Sequence, residues 1–265
     1  MLELSRTVRF CLSGDPGDLA SPRDNTFSSW PAMRGLGRYY ELEVICKGEA
    51  DPQTGYFINI KAIDSVVRDH VLPILIEQVS AGAHAAGTPM GALMRRTIEA
   101  MDPPLNHTVA QARLVLTPTL SLAMERNGMD HVVMRQQYEF SAAHRLHVPT
   151  LSDEENRATF GKCNNPAGHG HNYRVEVAAR CPIDEHGHTI SPAELDAIVD
   201  QEAIEKLDHK HLNEDVPEFT ELNPSVEHIV KVVWQMLDGK LPGNATLDEV
   251  KVWETGKTVC AYRGG

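Results

Sequence analysis

An α+β chain made of two tandem ββααββ units, each with antiparallel strands, is the fold this sequence predicts. Three observations carry it. Residues 134–144 and 169–180 alternate polar and apolar with a period of two. Apolar residues recur at helical spacing after Pro192 and Pro224. The same strand–helix order returns, in degraded form, over the first half of the chain. The expected domains are residues 1–131 and 132–265.

The second half is the clearer copy. From Met134 to His144, Tyr138, Phe140, Ala142 and His144 share one face, while Arg135, Gln137, Glu139 and Ser141 share the other. That is a half-buried strand. A polar loop with Pro149, Asn164, Asn165, Pro166 and Gly168 follows. The next strand, His169 to Arg180, carries His169, His171, Tyr173, Val175 and Val177 on one face. Gly187 and its polar neighbours turn the chain. Ser191-Pro192-Ala193-Glu194 starts a helix with proline at its first position and a capping-box pattern, and Leu195, Ile198, Val199 and Leu207 form its apolar face. Asn223-Pro224 opens a second helix along Ile229, Val230, Val233, Trp234 and Leu237. Lys251–Glu254 and Thr258–Arg263 then flank a turn at Thr255-Gly256-Lys257, a hairpin.

In the first half, Val8–Leu12 is a short strand, and Gly35-Leu36-Gly37-Arg38-Tyr39-Tyr40 with Glu41–Cys46 parallels Gly168–Tyr173 and its strand. Ile60, Ile63, Val67, Val71, Ile74 and Leu75 mark the first helix. Thr88-Pro89 stands where Asn223-Pro224 stands, and Leu93–Met101 forms the second helix. Leu114–Thr117 and Leu120–Glu125 match the final hairpin, and Asn127-Gly128 turns out of the first copy.

Composition narrows the function. The 265 residues carry a formal charge of −12, which argues against a general nucleic-acid binder. Residues 1–132 hold 12 Lys+Arg against 15 Asp+Glu, residues 133–265 hold 13 against 22, and nine of the 13 histidines lie in the second half. No run of about 20 apolar residues predicts a membrane span, and no secretory signal is read at the N-terminus. Five cysteines without framework spacing predict a reducing, cytoplasmic setting.

The chemistry gathers between Phe140 and Tyr173. Residues two apart on a strand point the same way, so His169 and His171 can face one metal, and His144 at the end of the paired strand can join them. His147 is the spare ligand. Cys163 lies in a polar loop beside Lys162, where a cation favours thiolate. Such a thiolate can serve as base, nucleophile or fourth metal ligand. Asp208 can orient His209 in an acid–base pair, and Glu254-Thr255 ends a strand at the hairpin.

Taken together, FSAAH (140–144), LSDEEN (151–156), FGKCNN (160–165), GHGHNY (168–173), LDHK (207–210), NPSVE (223–227) and WET (253–255) closely resemble the 6-pyruvoyl-tetrahydropterin synthase family, which includes the bacterial 6-carboxy-tetrahydropterin synthases of queuosine and deazapurine biosynthesis. The resemblance implies the tunnelling fold, antiparallel sheets with helices on one face that assemble into β-barrels. It implies zinc (Zn2+) held by His144, His169 and His171, with Cys163 as general base and Asp208 and His209 as proton relay. Glu254 would anchor the pterin ring, with Glu227 and Thr255 beside it. The implied reaction converts 7,8-dihydroneopterin triphosphate to 6-pyruvoyl-tetrahydropterin with loss of triphosphate, for which Arg145, Lys162 and Lys210 are candidate contacts. The five residues between Cys163 and His169 look like the pyruvoyl-forming members. The alternatives are carboxy-tetrahydropterin formation, a non-catalytic zinc- or pterin-binding protein, and a structural zinc site closed by Cys163.

The first half departs from the family pattern at each chemical position. Gly14, Leu36 and Arg38 fall near the places of His144, His169 and His171, Trp30 near Cys163, and Ile76-Glu77 near Asp208-His209. Ala92 replaces Glu227 and Leu116 replaces Glu254. The expectation is a scaffold copy without metal ligands. Because the family's sites lie at subunit junctions, a homo-oligomer is expected, a trimer of two-domain chains acting on a small pterin triphosphate, with neither nucleic acid nor membrane as partner.

Overall fold

The computed structural model describes residues 1–12, 30–31, 37–80 and 88–265. Gly14, Gly35 and Leu36, three positions used in aligning the halves, lie outside the described residues. The chain divides into two compact units, Met1–Met134 with Cys181–Ser191, and Arg135–Arg180 with Pro192–Gly265. Residues 181–191, which the sequence puts in the second half, therefore pack with the first unit.

In the first unit, β1 (Leu2–Leu12) pairs antiparallel with β2 (Arg38–Gly48) in one unbroken register from Leu2↔Gly48 to Leu12↔Arg38. The strand is longer than Val8–Leu12 because backbone pairing continues where side-chain burial stops. Val8, Phe10 and Leu12 are buried, whereas Leu2 is exposed and Ser5 bonds across to Glu43. Helix α1 (60–80) consists of Ile60–Val66 and Leu72–Ser80 joined by a π-helical Val67–Val71, and Asn59 caps it by accepting from the Lys61 N–H. Helix α2 (Met90–Met101) follows, then β3 (Val109–Thr117) and β4 (Leu120–Glu125), in the order β1-β2-β3-β4. Leu42, Val44 and Cys46 of β2 and Ala112 and Leu114 of β3 form one core with Ile63, Val67 and Val71 of α1 and Met94 and Ile98 of α2. The turn at Gly187 (φ +85) closes on α2, where its carbonyl accepts from the Ala92 N–H at 2.9 Å.

The second unit takes β5 (His131–His144) from Arg135 on and β6 (His169–Pro182) as far as Arg180, followed by α4 (192–207), made of Pro192–Val199, π-helical Asp200–Ile204 and Glu205–Leu207. The two-residue β7 (Lys210–His211) pairs parallel with Ala142 and Ala143 of β5. Helix α5 (Val226–Leu237) starts one residue after Pro224 is passed, with Ser225 as its cap. Strands β8 (Thr246–Thr255) and β9 (Thr258–Tyr262) complete the order β5-β6-β8-β9.

Two expectations are corrected here. The loop expected between β5 and β6 contains helix α3 (Asp153–Phe160), closed by a reciprocal capping box between Ser152 and Glu155 and followed by a 3₁₀ turn, Gly161–Asn164. It shows no helical apolar stripe because only Asn156 of its residues is buried, and that amide is consumed by the carbonyls of Val148, Leu151 and Ser152. Strand β8 begins five residues before Lys251. Its Glu249 is buried (3% exposed) but paired with Arg135, Lys251 and Arg263, so a charged stretch reads as a loop and folds as strand. The antiparallel sheet with helices on its apolar face is as expected. Among the described residues the strand order does not close into a barrel.

Candidate metal centre

The alternation of β5 and β6 sets the floor and walls of the site. Phe140 and Tyr173 stack at 4.8 Å beneath it; beyond them on the same strand faces stand His144, two alternate positions past Phe140, and His171 and His169, one and two positions from Tyr173. Entry to β6 depends on Gly168. Its φ is +69, and a Cβ there would stand 2.8 Å from Nε2 of His211 and 3.0 Å from the His144 carbonyl oxygen. Only glycine admits that close approach.

The three imidazoles converge. Their ligand nitrogens all lie within 4.8 Å of one another, and among the described residues this is the group of three such side chains that does so. Nε2 of His144 and Nε2 of His169 are 3.1 Å apart. Nitrogens 2.0–2.1 Å from a tetrahedral ion stand roughly 3.3 Å from each other, so the spacing fits a shared metal. His144 is fully buried, and its Nδ1–H donates to the Pro224 carbonyl at 2.7 Å, which leaves the Nε2 lone pair for a ligand. Nε2 of His171 is buried without a hydrogen-bond partner. A buried polar atom left in that state needs an explanation, and a metal is a sufficient one.

Electrostatics agree. Burial pushes the pKa of His144 down to about 4, against the pull of the Pro224 carbonyl, and the rings of His169, His171 and His211 add to the lowering. Burial, then the charge of His171, lowers His169 as well. Rings held neutral keep their lone pairs available at neutral pH.

Glu254 joins this group. Its Oε1 lies 3.6 Å from Nε2 of His144 and 3.8 Å from Nε2 of His171. Cys163 sits half-buried in the 3₁₀ turn, its carbonyl accepting from the Leu146 N–H at 2.9 Å. Burial raises the phenol of Tyr173, and the charges of Glu254 and then Cys163 add to that, so all three belong to one electrostatic neighbourhood.

The remaining expected residues are distributed differently. Asp208 accepts from the Ser141 N–H at 2.7 Å and from Nδ1 of His209 at 2.8 Å, which makes a well-formed dyad. The N–H bonds of Ser141 and His209 hold the carboxyl of Asp208 below the usual range. The His209 ring is 83% exposed, however, and lines an open cleft of about 720 Å³ with Ser141, Asn172, Lys210 and His211. Cys163 is not on that cleft. Glu227 is exposed on the first turn of α5, its carboxyl lowered by its own backbone N–H and by the Ser225 hydroxyl, outside the cluster formed by Glu254 and the triad. Thr255 closes the β8–β9 hairpin, its hydroxyl accepting from the Lys257 N–H. His147 lies outside the three-histidine group, with Nδ1 of its ring in contact with Asn164 and Arg145. The Pro224 carbonyl and His211 were not read from the sequence. The second His-x-His, His209–His211, was the available signal for His211.

In the first unit Arg38 begins β2, Trp30 stacks on Tyr39 at 5.3 Å, and Glu77 pairs with Arg96.

Fold and site together define an α+β protein with a histidine triad able to hold a metal ion and an adjacent carboxylate. The model of the 6-pyruvoyl tetrahydropterin synthase family matches residues 133–265. The 6-pyruvoyl tetrahydrobiopterin synthase of Drosophila melanogaster is 44% identical over 126 residues, 47% of this chain and 75% of that protein. The enzyme of that name from Homo sapiens is 42% identical over 130 residues, 49% of this chain and 89% of that protein. The solved 6-pyruvoyl tetrahydropterin synthase of Caenorhabditis elegans has a TM-score of 0.48 at 36% identity, covering 51% of this chain and 96% of that one. The chain belongs to the 6-pyruvoyl tetrahydropterin synthase family.

Proposed function

We propose that the chain is a zinc-dependent lyase that converts 7,8-dihydroneopterin triphosphate to 6-pyruvoyl-tetrahydropterin. The observation that carries this reading is the convergence of three imidazoles and the Glu254 carboxylate inside the region that matches the family. His144, His169 and His171 would hold the ion. Zinc bound there supplies Lewis-acid polarisation of the substrate's side-chain oxygens, which makes the neighbouring C–H protons easier to remove. Cys163 takes such a proton, the triphosphate departs with its bonding electrons, and the rest of the molecule rearranges internally without an external oxidant. Glu254, Glu227 and Thr255 are assigned to the pterin. The five-residue spacing from Cys163 to His169 and the names of the relatives favour pyruvoyl over carboxy formation.

The exposed Asp208–His209 dyad is assigned to a neighbouring copy's site, which makes an oligomer part of the mechanism. The first unit is read as a duplicated scaffold copy. Supporting this, each first helix passes through a π-helical turn, at Val67–Val71 and at Asp200–Ile204. Each also ties an aspartate to its first strand, Asp64 to Arg6 and Asp196 to Tyr138. Phe10–Tyr40 repeats Phe140–Tyr173 as an aromatic pair. Leucines 12, 75, 93, 114 and 116 line a cavity of about 470 Å³ in this unit, and no imidazole is among its described lining residues. A trimer of such chains is the assembly we assign.

The test is turnover of 7,8-dihydroneopterin triphosphate by zinc-loaded protein, with the pterin product identified by mass spectrometry. A zinc-loaded sample that leaves the substrate intact would overturn the lyase reading, and a 6-carboxy product would replace it with the other branch of the family.

A further inference from the structure

We propose that the cavity of about 470 Å³ in the first unit is a binding site for an aliphatic chain ending in a single carboxylate. The cavity lies outside the region that matches the family and shares no residue with the histidine triad.

Its place in the unit is the first reason. Leu12 ends β1 as His144 ends β5, and Arg38 begins β2 as His169 begins β6. Leu116 stands one residue from the end of β3, as Glu254 does in β8. The second unit puts imidazoles and a carboxylate at these strand ends, whereas the first puts leucines there and leaves the space open. The helical wall comes from the end of α1, at Leu75 and Val79, and the start of α2, at Leu93. Close-packed interiors keep few voids larger than a water, while small-molecule pockets run from roughly 300 to 1,000 Å³.

The lining selects the ligand. Arg38 is the one charged side chain among the described lining residues. Its guanidinium has no ion pair or hydrogen bond among the described residues, and neither has the half-buried amide of Gln78. An arginine fork donates two parallel bonds to a carboxylate, and the amide brings further N–H donors to the same cavity. The leucine and valine walls take an alkyl chain out of water along its length. A pterin would leave its ring of donors and acceptors unpaired against those walls. A polyphosphate would meet a single cation where it needs several. A metal ion would find no imidazole, thiol or carboxylate among the described lining residues.

The experiment is titration calorimetry of the full chain, zinc-loaded and zinc-free, with decanoate below its micelle concentration. One decanoate binds per chain, equally well in both forms. Arg38→Gln weakens decanoate about tenfold, as expected for a lost charge-assisted contact, and leaves the weaker binding of 1-decanol unchanged. Leu116→Trp puts a larger ring into the cavity and abolishes binding of both ligands, with the urea midpoint kept. Arg38 is exposed, so its replacement tests the site without disturbing the core. Wild type that does not bind decanoate overturns the site, as does a folded Leu116→Trp protein that binds as wild type does. Decanoate binding that requires zinc puts the anion at the triad and overturns it too. An Arg38→Gln protein with wild-type affinity, or decanol that binds as tightly as decanoate, removes the carboxylate from the assignment. No turnover is read, so these outcomes are independent of the lyase assay.

Discussion

Oε1 of Glu254 stands 3.6 Å from Nε2 of His144, although 110 residues separate them in the chain. Strand β8 delivers the carboxylate and the end of β5 delivers the ring, with β6 between them. A negative group at this distance offsets the charge of a divalent ion, which imidazole ligands leave uncompensated. Glu254→Gln, which keeps the shape and removes the charge, is expected to weaken zinc binding about tenfold in a chelator competition. An unchanged affinity would show that the carboxylate serves only the pterin.

The metal-free protein should lose stability as pH falls from about 6.5 to about 4. His144 has a folded pKa of about 4 against an ordinary 6.5, so in that window the unfolded chain binds the proton and the folded chain does not. The stabilisation is complete above 6.5 and is lost on acidification, and its full size is on the order of 3 kcal/mol. Urea midpoints of apo protein across this range measure it. His144→Asn should flatten the profile, and a variant as acid-sensitive as wild type would assign the effect to other groups.

Gly168 and Gly161 both have positive φ, but only Gly168 is crowded. Gly161→Ala, at φ +55 and ψ −123 with open space around it, should cost about 2 kcal/mol for backbone strain alone. Gly168→Ala must also displace His211 or the His144 carbonyl, and is expected to cost about 3 kcal/mol and to lower zinc occupancy. Equal costs in chemical denaturation would contradict the close approach.

Since the His209 ring opens to solvent and Cys163 lies off its cleft, the two should act between chains. Cys163→Ala and His209→Ala are each expected to be inactive. Unfolding and refolding them together should restore a fraction of wild-type turnover, whereas separately refolded variants should not. Mixed samples that form hetero-oligomers by mass and stay inactive would place both residues in a site within one chain.

The fold was legible where burial is one-sided. Alternation in β5 and β6 and the apolar spacing in α4 and α5 report a face turned to a core, and the elements stand there. Helix α3 escaped because its stability comes from caps and from the buried Asn156 amide, not from an apolar stripe. The early part of β8 escaped because Glu249 is buried with three cations whose proximity is non-local. The triad was legible for a local reason: His169 and His171 are two apart on one strand, and His144 ends its neighbour.

By itself, then, the sequence determined the strand and helix faces, the three imidazoles and their family. Those follow from periodicities of two and 3.6, which are properties of a few adjacent residues. Only the tertiary structure decided that the Pro224 carbonyl sets the His144 tautomer from 80 residues away. It also brought Glu254 to the triad, turned His209 outward, and set Lys210 on a different cleft from Arg145 and Lys162. Each of these depends on strand order and register, which bring distant residues together and leave no periodic trace in the chain.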